Sequence, residues 1–129
     1  MQVLKKIAIS GLMAISMAAV SSAALAEATG EATVRAAAEN TITKIEEAVG
    51  LAEKGGNKEE IIKAINDARQ TQKEFRYELT ERQRQKANDK LRLARDAFES
   101  GDTKTADAKL REALANFVEM KAQYDANHK

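Results

Sequence analysis

From Val34 to Tyr124 the apolar residues recur at intervals of three and four, and this periodicity decides what the chain can become. Leu, Ile, Val and Phe supply only about 17 of the ~103 residues that follow Ala26, below the one-fifth share at which scattered apolar residues leave a chain disordered. Aligned as a stripe on a helix, the same few residues can be shared between neighbouring helices and buried. Ala, Glu, Lys, Leu and Arg make up about 57 of those residues, the alphabet of long helices. With no proline anywhere in the 129 residues, only glycines punctuate the pattern.

The first stripe runs Val34, Ala38, Thr41/Ile42, Ile45, Ala48/Val49 and Ala52, which predicts a helix over about 31–54. Gly55-Gly56 stops it by supplying the positive φ of a residue just past a helix end. Asn57, with Glu60 three residues on, opens a second helix as cap and loose capping box. Its stripe is Ile61, Ile65, Ala68, Gln72, Phe75 and Leu79, giving 58–78. Ala87, Leu91, Ala94 and Phe98 define a third helix, 81–99, closed by Ser100-Gly101. Asp102 or Thr103 caps the fourth, 103–125, with Ala106, Leu110, Ala113/Leu114, Phe117, Met120 and Tyr124 inward. A shift of 45 residues lays Gly56 on Gly101, Asn57 on Asp102 and Ile65 on Leu110, so a helix–Gly–cap–helix hairpin occurs twice. Two hairpins that each bury too little predict, once packed together, an all-α, antiparallel up-down four-helix bundle.

The joint between the second and third helices is open to two readings, because no Gly or Pro occurs from Asn57 to Ser100. One unbroken helix would be nearly twice the length of its neighbours and would dimerise. Folding back near Tyr77–Thr80 equalises the four lengths, and Thr80 with Gln83 offers a capping box there. The fold-back is the preferred reading, with monomer or homodimer both open.

The segment 1–26 reads as an address. Lys5 and Lys6 precede the apolar stretch Ile7–Val20, and Ala24-Leu25-Ala26 has the form of a signal-peptide cleavage site. Cleavage after Ala26 would release residues 27–129 as a single domain into a bacterial periplasm. Removing two lysines leaves a net charge near −1, which disfavours a nucleic-acid partner. The chain has no cysteine and one histidine, His128. Thiolate chemistry, disulfides, His-based triads and multi-His metal sites are therefore excluded, and the chain is expected to be neither an enzyme nor the holder of a cofactor.

The run Gly55-Gly56-Asn57-Lys58-Glu59-Glu60-Ile61-Ile62-Lys63-Ala64 and the later Glu99-Ser100-Gly101-Asp102-Thr103 resemble the turn-and-helix units of the small periplasmic metal-binding protein family. The resemblance implies a four-helix bundle and binding of divalent metal or another small ligand. The histidines that ligate metal in that family are replaced here by Ile, Ala, Lys or Asn, so it supplies no metal ligands. The chain also resembles the soluble cytochrome b562 family. Its remaining Met and His, Met120 and His128, sit on one final segment and cannot approach a haem from opposite faces.

Charge is unevenly distributed. Residues 27–57 hold six acids and three bases, whereas residues 76–95 hold seven bases and three acids. Arg82, Lys86 and Lys90 recur every four residues and form one basic face on the third helix. Such a face suits an anionic envelope surface or an acidic partner protein, as in an adaptor, stress-response or chaperone-like module. A simpler reading lays the acidic first helix beside the basic third one. Glu74, Glu78 and Glu81 alternate with Lys73, Arg76 and Arg82, a pattern of solvated i,i+4 pairs rather than of metal ligands.

Overall fold

The computed structural model describes residues 29–128, so the leader and its cleavage site lie outside the described residues. Residues Thr33–Lys129 form one compact unit, and every contact given below lies within it. Of the other unit, Met1–Ala32, the described part is the opening turn of the first helix. The described residues are all-helical: α1 Thr29–Glu53, α2 Lys58–Thr71, α3 Glu81–Ser100 and α4 Thr103–Ala126, with two short 3-10 turns, Gln72–Glu74 and Glu78–Thr80, between α2 and α3.

The two glycine turns are built alike. Gly55 sits at φ +68°, its N–H on Ala52 O and that of Gly56 on Leu51 O at 2.7 Å. Gly101 repeats this at φ +86°, with its own N–H on Phe98 O and that of Asp102 on Ala97 O at 2.9 Å. Both are Schellman closures, in which a left-handed residue returns its own N–H and that of the next residue to the last carbonyls. Gly55, rather than Gly56, is thus the counterpart of Gly101, and Gly56 is one extra residue in the first turn. Asn57 Oδ1 then accepts from the N–H groups of Glu59 and Glu60, at 2.6 and 3.3 Å, and Asp102 Oδ1 accepts from Thr105 N at 3.2 Å. Each cap satisfies donors that the first turn of a helix leaves open.

The stripes form one core. Ile45, Ile65, Leu91, Leu110 and Phe117 are fully buried, interleaved with Ala38, Ala68, Ala94 and Ala113. Alanine at so many contacts lets the helix backbones approach closely. Polar contacts give the register between helices. Arg35 Nε meets Asp125 Oδ1 at 3.2 Å, Lys121 Nζ lies 4.0 Å from Glu39, and Arg111 Nη2 meets Glu53 Oε2 at 2.6 Å. As numbers rise along α1, those of its partners on α4 fall.

α2 ends at Thr71, seven residues short of the Glu78 that its stripe implies. No glycine is needed, because side chains compete for the carbonyls. Thr71 Oγ1 donates to Ala68 O and Gln72 Nε2 to Arg69 O, at 3.2 and 2.9 Å. Such bonds draw the chain into 3-10 geometry. Gln72 and Phe75 remain buried, but Leu79 is 72% exposed, so the stripe breaks within the joint. The Thr80–Gln83 capping box does not form either. Thr80 Oγ1 donates back to Tyr77 O at 3.3 Å, and the Gln83 side chain reaches Glu119 and Gln123 on α4.

Candidate functional site

The basic run of α3 resolves into residues held by partners and residues that are not. Arg84 turns inward, only 11% exposed, its Nη1 on Gln72 Oε1 at 2.6 Å and its Nη2 on Glu81 Oε1 at 2.7 Å. The hydrogen bond from Arg84 holds the Glu81 carboxyl below its usual range, against the opposing effect of burial. Arg76 also meets Glu81, Arg92 lies near Asp89 and Asp96, and Arg95 pairs with Asp96. Lys90 leans onto α4, with Nζ 3.1 Å from Asn116 Oδ1 and 3.7 Å from Glu112.

Arg82 and Lys86 are exposed, and among the described residues neither has an ion-pair partner. On an α-helix, Arg82, Lys86 and Leu93 fall within about 40° of one another. Leu93 is 40% exposed, and Leu79 precedes the helix as the most exposed large apolar residue described. The three positions singled out by the four-residue spacing are therefore divided. Two form an open basic pair on a helix face shared with exposed Leu93 and, between them, Asp89, which lies near Arg92, and Lys90 is tied into the α3–α4 contact. Spacing alone cannot separate them, because the partners of Lys90 lie more than twenty residues away in sequence.

The acidic first helix does not neutralise α3. Among the described residues no ion pair joins α1 to α3: Glu39 and Glu53 face Lys121 and Arg111 of α4, and Lys44 reaches Asp67 of α2. The alternative of one acidic helix laid beside one basic helix is not what the pairing shows.

A second cluster, which the spacing did not reveal, closes the joint against the C-terminus. His128 stacks on Tyr124 with ring centroids 3.8 Å apart, and Tyr77 meets both rings edge-on at 5.3 and 5.1 Å. Arg35 lies over the Tyr124 ring at 5.4 Å. His128 Nδ1 is 2.7 Å from Tyr124 O, and Met120 is fully buried, so both are occupied within the protein. Asp125 is held below the usual carboxyl range, first by the hydrogen bond from Lys121 and further by Arg35. Among the described residues no group of three His, Asp, Glu or Cys could hold a metal ion, and no helix is long and apolar enough to cross a membrane. Compared with known protein families, curated proteins and solved structures, the chain matches none.

Proposed function

We propose that the chain is an exported, non-enzymatic protein of the bacterial periplasm, released by cleavage after Ala26. It folds as an antiparallel up-down four-helix bundle and acts by binding. The topology is supported by the opposed register of α1 and α4, and equally by Gln83 and Lys90 of α3 meeting Glu119 and Glu112 of α4. The bundle resembles the small periplasmic metal-binding proteins, but its chemistry differs: among the described residues it offers no clustered metal ligands and presents a basic face instead.

The occupant of that face is an anionic lipid surface. One observation carries the reading: Arg82 and Lys86 are open cations, and exposed leucines precede and follow them in the chain, Leu79 and Leu93. Cationic groups attract anionic headgroups, and apolar flanks enter the headgroup–acyl boundary. Vesicle flotation tests it. The protein floats with vesicles rich in phosphatidylglycerol, stays behind with phosphatidylcholine, and is released as salt rises and shortens the Debye length below its physiological value of about 8 Å. The Arg82→Glu/Lys86→Glu variant keeps its helical circular dichroism and fails to float. Equal flotation with both lipids, none with either, or flotation unaffected by the double reversal would overturn the reading. Adding Lys90→Glu to the pair reduces stability, because that lysine serves the α3–α4 contact.

A further inference from the structure

The two glycine turns, brought to one end of the unit, leave a groove of about 490 Å³ between them. Its floor is apolar: Ile61 from α2 and Phe98 from α3, each almost wholly buried, with Ala52 from the last turn of α1. Three of its lining residues are Gly55, Gly56 and Gly101, which bring backbone but no side chain. A Cβ placed on Gly55 or Gly101 would meet nothing within 4 Å, so the space beside both turns is open. The volume falls in the range of small-molecule sites, which are mostly apolar with a few polar groups at the edge.

Those polar groups are Lys58, Thr103 and a three-ion clamp. Arg111 Nη2 bonds Glu53 Oε2 at 2.6 Å and Nε bonds Asp107 Oδ2 at 2.8 Å, joining the end of α1 to α4 across the groove. Arg111 and Glu53 are each about half exposed, so their pair is weak and exchangeable. Lys58 has no ion-pair partner among the described residues. Two cations therefore flank an apolar floor, one already holding carboxylates in its fork and the other holding none.

We infer that this groove binds a small amphipathic carboxylate, whose apolar body lies on Phe98 and Ile61 and whose carboxylate bridges Lys58 and Arg111 in place of Glu53. The replacement leaves the charge on Arg111 balanced and frees only a surface glutamate to water. The Asp107 contact stays and fixes the plane of the guanidinium fork, the geometry that matches a carboxylate. This site lies on residues separate from the Arg82–Lys86 face, and neither proposal depends on the other.

Octanoate titrated into the isotopically labelled protein, with amide shifts followed by NMR, tests it directly. Saturable shifts centred on Gly55, Gly56, Gly101 and Thr103 are expected in the roughly millimolar range suited to a ligand of that size. Octanol and octylammonium, with the same chain and no carboxylate, bind at least several-fold more weakly. Arg111→Gln and Lys58→Gln each weaken octanoate on the order of tenfold, the usual effect of losing a charge-assisted hydrogen bond. Lys58 has no ion-pair partner among the described residues, so its variant stays folded even where loss of the Arg111 clamp loosens the turn. Absence of saturable shifts, shifts centred on α3 instead, equal binding of octanol, or octanoate binding unchanged by Lys58→Gln would each overturn the inference.

Discussion

Arg84 Nη1 donates to Gln72 Oε1 at 2.6 Å, tying the end of α2 to the first turn of α3. Both groups are nearly removed from solvent, and the Gln72 amide also donates to Arg69 O. A buried cation left short of acceptors costs more than the bond itself is worth. Gln72→Leu is therefore expected to destabilise the protein by about 2 kcal/mol in urea unfolding. Arg84 keeps its pair with Glu81 in that variant, so adding Arg84→Met should lower stability further, because it takes from the Glu81 carboxylate its chief partner.

Phe75 and Leu79 stand at consecutive positions of the same sequence stripe, yet only Phe75 is buried, edge-on to Tyr124 at 6.2 Å. Phe75→Ala is expected to cost about 3–4 kcal/mol, the price of a large cavity. Leu79→Ala should change stability by less than about 0.5 kcal/mol. Comparable losses for the two in thermal or urea unfolding would place Leu79 in the core and contradict the geometry of the joint.

Glu81 carries the pH dependence of the same region. Its pKa is lowered in the folded state, chiefly by the Arg84 hydrogen bond, so its contribution is complete above the ordinary carboxyl range near ~4.3. That contribution disappears as pH falls through the lower folded value. Glu81→Gln should be less stable than the parent by about 1 kcal/mol at neutral pH, and the difference should close on acidification below ~4. A gap that stays constant with pH would remove the ion pair from the explanation.

Two glycines give opposite signs. Gly101 needs its φ of +86°, and Gly101→Ala is expected to lose about 1 kcal/mol or more. Gly50 lies inside α1 with nothing within 4 Å of a added Cβ, so Gly50→Ala should gain about 0.5–1 kcal/mol by helix propensity. Melting curves of the two variants on either side of the parent would check both.

What could be read from the sequence was what local chemistry decides. Asn57 and Asp102 cap as their positions imply, and Ile45, Ile65, Leu91, Leu110 and Phe117 are buried as their spacing implies, because cap and stripe depend on near neighbours. The end of α2 could not be read, since Gln72 and Phe75 stay buried after the helix has stopped and so continue its pattern. Lys90, Arg84 and Tyr77 escaped for a related reason. Each is placed by a residue more than ten positions away, Asn116, Gln72 and Tyr124 respectively, and spacing carries no record of such partners. The groove depends on two turns 46 residues apart meeting at one end, which no single segment signals.

The shared core, the Arg84–Gln72 tie and the groove all follow from the chain folding back between Thr71 and Glu81. The chain has no cysteine, so Lys58→Cys and Glu99→Cys give two clean attachment points for spin labels. Lys58 and Gly101 line the same groove, and neighbouring helices pack about 10 Å apart, so double electron–electron resonance should give a single distance below about 25 Å. A distance near 62 Å, the length of one helix over the same residues at 1.5 Å each, would contradict the fold-back and everything built on it.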